Sequence, residues 1–165
     1  RAIVWACPAH YYTNFTYWAQ HCWGVKTVVD MECMLSHHFI HVGDKKEAMI
    51  DLAKSYEKMM MRSHTNGGYQ NSLDECWKMC ERFNVNIVIM YDHVSCKNVG
   101  GLHGLFEDQA RERGIHLIWV PHDLMDARTV SRREMREAFN KYMVNVFREE
   151  PLDPSLVDYE DTIAW

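Results

Sequence analysis

The chain of 165 residues has no long hydrophobic run, no excess of basic charge and no glycine-rich phosphate loop. No stretch approaches the roughly 20 uncharged apolar residues that a bilayer-spanning helix needs, so no membrane span is expected. Its 18 Lys and Arg against 23 Asp and Glu leave a formal net charge of −5. That balance offers no cationic footprint for nucleic acid, and Arg132, Arg133 and Arg136, set among acids, read as a solvated helix face. No Gly-x-Gly-x-x-Gly follows the first strand-like run, and neither a Walker loop nor a Gly-x-Ser-x-Gly elbow occurs. Dinucleotide binding, P-loop chemistry and serine hydrolysis therefore lose their support. Arg1 leads straight into 2-AIVWA-6, which resembles no signal peptide. The six cysteines, at 7, 22, 33, 76, 80 and 96, are too scattered for a disulfide framework. Reduced thiols in a cytoplasmic protein are the expectation.

What is present is a core-rich, alternating pattern. A hydrophobic content of 47%, with eleven Met and six Trp, suffices for one buried core and leaves apolar side chains for contact surfaces. A continuous apolar run at 2–7 reads as a strand covered on both faces, and 26–32, 85–91 and 115–121 read as the further strands. Between them lie helical patterns. Thr13 or Asn14 caps one that Gly24 stops, with Phe15, Trp18 and Cys22 on its inner face. Asp44 and Glu47 open a long helix to about Arg62, whose expected inner face is Ala48, Leu52, Tyr56 and Met59. After a loop at 64–71, Ser72 and Glu75 form a further capping box before Cys76, Met79, Cys80 and Phe83. A helix from about Leu102 stops at Gly114, and Ser131 with Glu134 caps the last one, with Met135, Ala138, Phe139, Tyr142, Met143 and Val146 inward. Residues 149–165 carry two prolines and six acids and read as an extended or docking tail.

This alternation predicts a three-layer, flavodoxin-like α/β domain over residues 1–148, with a four-stranded parallel sheet in the order 2-1-3-4. Strands 1 and 3 are then neighbours whose following helices lie on opposite faces, and ligands of such folds bind at the crevice beyond their carboxyl ends. Two segments meet there, 7-CPAHYYTN-14 and 92-DHVSCKNVGG-101.

Cys96 stands out because it leaves a buried strand through a polar turn and precedes Lys97, a glycine pair and a helix start. Helix N-terminal amides and Lys97 would stabilise a thiolate there. A partly exposed bystander cysteine is an equal reading, since a lone thiol holds no metal. Cys76 and Cys80 share the apolar stripe of their helix, and Cys22 and Cys7 sit on buried elements, so all four read as core. His10, His93 and Ser95 belong to the converging loops. His37, His41 and Cys33 raise a zinc or thiol-enzyme alternative, weakened by the lack of further ligands at structural spacing.

The run from Val85 to Met143, with Ser95-Cys96-Lys97, Asp123 and 126-DAR-128, resembles the C-terminal part of the 2-hydroxyacyl-CoA dehydratase and benzoyl-CoA reductase family, including 2-hydroxyglutaryl-CoA dehydratase D-components. The front, 1-RAIVWACPAHYYTNF-15 and 29-VDMECMLS-36, is similar to the family's preceding strand–loop and acidic-Cys turn. The resemblance implies a [4Fe–4S] cluster held by three cysteines from different domains, with Cys96 matching the last of them. His10, His93, Ser95 and Lys97 would then be pocket or supporting groups. It also implies an acyl-CoA substrate, a related but unequal second subunit, and an ATP-dependent iron–sulfur activator that supplies one low-potential electron. Relatives are considerably longer, and the domain that carries their first two cluster cysteines has no counterpart here, so the chain reads as a fragment that is inert alone. His122 stands where relatives often carry a small residue before the acid. A plain flavodoxin-like binding or assembly domain without catalysis is the non-enzymatic alternative.

Overall fold

The computed structural model describes residues 1–33, 39–57 and 59–159, apart from the side chains of Cys33, Met60, Met61 and Thr65. Its strands are β1 (Ala2–Trp5), β2 (Thr27–Asp30), β3 (Ile87–His93) and β4 (His116–His122). Its helices are α1 (Phe15–Trp23), α2 (Lys45–Glu57), α3 (Met60–Asn66), α4 (Tyr69–Phe83), α5 (Lys97–Arg113) and α6 (Arg132–Tyr142). The four strands are parallel and ordered β2-β1-β3-β4, as the alternation predicts.

Side chains alternate across the pleat and so build two cores. Val4, Ile89, Tyr91 and Ile118 face α1 and α6, where Phe15, Trp18 and Phe139 interlock. Ile3, Val88, Met90 and Leu117 face α4 and α5, where Trp77 packs on Phe106. Helices after β1 and β3 therefore lie on opposite faces, which opens the crevice between those strands.

The helix stops follow local chemistry. Gly24 (φ 71°) and Gly114 (φ 65°) adopt the left-handed conformation that closes α1 and α5. At α6 the capping box is complete: Ser131 Oγ accepts the Glu134 N–H at 3.2 Å, and Glu134 accepts the Ser131 N–H at 2.7 Å. Ser131→Ala should cost about 1 kcal/mol, read as a lower denaturant midpoint at unchanged slope.

Several expectations are corrected. The helix opened by Asp44 ends at Glu57, and α3 follows from Met60. Its expected inner face points outward, with Tyr56 59% and Leu52 38% exposed. The buried residue of α2 is instead Asp51, which bonds His41 Nδ1 at 2.7 Å and Lys54 at 3.6 Å. The expected loop at 64–71 is mostly helical, and α4 starts at Tyr69, so Ser72 is buried within the helix instead of capping it. At the other end of the chain Val146 is 49% exposed.

Arg136 is buried, not solvated. Its guanidinium donates to Tyr12 Oη at 2.9 Å and to the Tyr159 carbonyl, and lies over the Tyr12 ring. The segment after α6 packs back on α1. The Leu152 N–H bonds the Cys22 carbonyl at 2.7 Å, and Trp18 Nε1 donates to the Leu156 carbonyl at 2.8 Å.

Candidate functional site

The site grows from the carboxyl ends of β1, β3 and β4. At the end of the β3–β4 ladder His93 pairs with His122. The chain then turns tightly. The Val94 N–H bonds the His122 carbonyl, the Ser95 N–H bonds His93 Nδ1 at 3.0 Å, and the Cys96 N–H bonds the His93 carbonyl at 2.9 Å. Cys96 is consequently delivered as the N-cap of the 17-residue α5, one turn earlier than the glycine pair suggested. Its side chain makes no capping bond. The Gly100 N–H closes the first turn on the Cys96 carbonyl, which leaves the amides of 97–99 without an intrahelical partner.

Across the crevice, Ala6 takes φ 66°, unusual for a residue with a Cβ. This bends the chain out of β1 and directs Cys7 to the cavity that Cys96 also lines, about 410 Å³ in volume. Cys7 is half-buried, not core. Its thiol is pushed up to about 11, first by burial and then by Glu32 beside it, with Cys96 near enough to contribute.

Two buried imidazoles complete the wall. His122 is 1% exposed, and its ring nitrogens have essentially no accessible surface and only the Asp92 and Cys7 carbonyls near them. It meets Tyr91 and His93 edge-on at 5.2 and 5.3 Å. Burial, then the neighbouring His93, depresses its pKa to about 4, against the weaker opposing pull of the Asp92 and Cys7 carbonyls. His64, from α3, is 9% exposed and rests against Trp5 at 5.4 Å with Nε2 unpartnered. Burial lowers its pKa as well. Among the described residues the remaining polar lining comes from neutral residues such as Ser72, Ser95 and Asn98.

Of the residues singled out in the sequence, His93, Ser95 and Cys96 line this cavity. Lys97 is exposed at the start of α5 and does not. His10 is exposed too; its backbone N–H bonds the Leu124 carbonyl at 3.0 Å and ties the loop after β1 to the loop after β4. Asp123 accepts the N–H groups of Met125 and Asp126, both at 2.9 Å, and the Arg128 guanidinium forks onto Asp126. The Asp-x-Arg element is thus a self-closed turn outside the cavity wall. Cys22, Cys76 and Cys80 are buried in the two cores. Of the zinc alternative, His41 is committed to Asp51, while His37 and the Cys33 side chain lie outside the described residues. Sequence reasoning missed Cys7 and His64. Nothing local marks His64, whereas His122 was visible only as an unusual residue before an acid.

Fold and site together define a flavodoxin-like α/β domain with a thiol- and imidazole-lined cavity at its strand ends. The family described as 2-hydroxyglutaryl-CoA dehydratase, D-component, matches residues 1–143, and the chain belongs to that family. It is accordingly a 2-hydroxyacyl-CoA dehydratase component, a member of a family whose enzymes assemble from several subunits. No curated protein and no solved structure matches it. Among the described residues no helix is long and apolar enough to cross a membrane, and no group of three or more His, Cys, Asp or Glu is placed to hold a metal ion.

Proposed function

We propose that this domain supplies one cysteine ligand, Cys96, to a [4Fe–4S] cluster in a dehydratase acting on 2-hydroxyacyl-CoA, and that the adjoining cavity receives the acyl group. The observation that carries this reading is the Cys96 side chain, half-buried at the cavity wall, unspent as a cap and next to free helix N-terminal amides. Those amides suit an anionic cluster. In the cluster-free domain burial and Glu32 keep the Cys7 thiol protonated, which places a proton or hydrogen-bond donor at the cavity wall beside Cys96. One cysteine cannot retain a cluster, and further ligands come from a part of the subunit outside this domain. When bound, the cluster supplies a low-potential electron to the thioester. The chain's own residues hold the acyl group, exclude water and orient it. The apolar residues that α2 turns outward support a partner subunit, here a related second subunit, with an ATP-dependent iron–sulfur activator as electron donor.

Iron and sulfide analysis of the full subunit, purified without oxygen, tests this. Cys96→Ser should lose most of its iron and its visible cluster absorption, while Cys76→Ser and Cys22→Ser keep both. Full iron in Cys96→Ser would sink the ligand assignment. Stoichiometric zinc would favour the thiol-enzyme alternative, and a metal-free subunit the binding-domain alternative.

A further inference from the structure

The turn after β3 fixes the tautomer of one side chain at the cavity wall. The Ser95 N–H bonds His93 Nδ1 at 3.0 Å. A backbone amide can only donate, so Nδ1 accepts and the neutral ring carries its proton on Nε2. The residue is also held in place. Its carbonyl accepts the Cys96 N–H at 2.9 Å, and its ring meets that of His122 edge-on at 5.3 Å and 88°. His93 is half-buried and lines the cavity, and its Nε2 hydrogen-bonds no described residue. Unlike the sealed ring nitrogens of His122, this Nε2 retains accessible surface.

We infer that His93 presents its Nε2–H to the thioester carbonyl oxygen of the bound acyl-CoA, as a hydrogen-bond donor oriented before the substrate arrives. The inference rests on the proposed role of the cavity as the acyl site and assigns one of its contacts. A thioester carbonyl offers lone pairs and no proton, so a donor must pair it. An electron delivered to the thioester places negative charge on that oxygen. A donor already aimed there needs no reorganisation as the charge develops. The same hydrogen-bonded turn that locks the ring delivers Cys96, three residues later, to the wall of the same cavity. The donor and the thiol are therefore fixed relative to each other by bonds within four consecutive residues.

Infrared difference spectroscopy of the metal-free chain tests this, since bound iron would itself shift a carbonyl band. The probes are 2-hydroxyglutaryl-CoA and an aliphatic counterpart, 2-hydroxybutyryl-CoA, each carrying carbon-13 at the thioester carbonyl. The substitutions separate the two ends of the ring. His93→Asn keeps an acceptor for the Ser95 N–H but ends short of Nε2, whereas the amide nitrogen of His93→Gln reaches the place of Nε2. The labelled band should lie at lower frequency in the wild type than in His93→Asn, and His93→Gln should return part of the difference. His93→Asn should also bind about fivefold more weakly, the worth of one neutral hydrogen bond. A ring that served only the turn would give the opposite ranking, with His93→Asn matching the wild type. Equal band positions in the wild type and folded His93→Asn overturn the inference while leaving the acyl-site reading intact. Absence of binding by both thioesters removes that reading and the inference with it. Nitrogen-15 spectra of the unsubstituted chain decide should the variants fail to fold. His93 should carry its proton on Nε2, and that resonance should move when either thioester binds. A proton on Nδ1, or an Nε2 resonance that ignores the bound thioester, overturns the inference.

Discussion

Phe139→Ala should lower the melting temperature by about 10 °C. Phe139 is fully buried on α6 and meets Phe15 and Trp18 edge-to-face at 5.7 and 5.6 Å. Truncation removes the transfer free energy of the ring, leaves a cavity that two rigid aromatics cannot collapse into, and breaks two favourable ring pairs. Together these amount to about 3–5 kcal/mol, and each kcal/mol moves the midpoint by roughly 2–4 °C in a domain of this size. Calorimetry measures it. A shift of only 1–2 °C would mean that α6 is not clamped to α1 in this way. The tail, which crosses the same pair of helices, should become susceptible to proteolysis in the variant, because Trp18 anchors it through Leu156.

Acid should destabilise the protein through His122. Its folded-state pKa of about 4 lies below the ordinary 6.5. The unfolded chain therefore binds the proton first as pH falls. The contribution of His122 is fully present above about pH 6.5, erodes as pH drops below that value, and is exhausted near pH 4. Over that window the loss is on the order of 3 kcal/mol, since one pKa unit corresponds to about 1.4 kcal/mol. The groups that face the ring are His93 and Tyr91 on β3, Asp123 after β4, and the Asp92 and Cys7 carbonyls. His64 shifts in the same direction, so acid sensitivity does not vanish without His122. Denaturant midpoints of the wild type and His122→Leu at pH 7 and pH 4.5 separate the two. The wild type should lose more stability than the variant across that interval. Parallel losses would show that His122 titrates normally.

The site was legible only on one side. Cys96, Ser95 and His93 could be found because strand end, polar turn and helix start are consecutive in the chain, so their convergence is a local matter. Lys97 and His10 were placed by the same reasoning but point elsewhere. Being next to the right turn does not settle which way a side chain leaves it. The opposite wall was hidden. His64 lies between α2 and α4 in a segment whose pattern suggested a loop, and it reaches Trp5 only through the packing of α3 and α4 on the sheet. Cys7 looked like the last residue of a buried strand. The positive φ of Ala6 turns it to the cavity, and no side-chain pattern announces that conformation.

The strands, their order in the sheet and the helix ends that carry a local cap or stop are written in the sequence alone. Each follows from interactions within a few residues or from the fixed handedness of strand–helix–strand crossovers. Gly24, Gly114 and the Ser131–Glu134 box show the first kind, and the order β2-β1-β3-β4 the second. Tertiary structure alone decided which faces are covered. The apolar stripe of α2 has the spacing of an inner face yet stays exposed at Leu52 and Tyr56, while Arg136, with the charge of a surface residue, is buried and donates to Tyr12 and the Tyr159 carbonyl. Periodicity states that a helix has an apolar side; only the partner that arrives there, from residues far along the chain, states whether that side is buried.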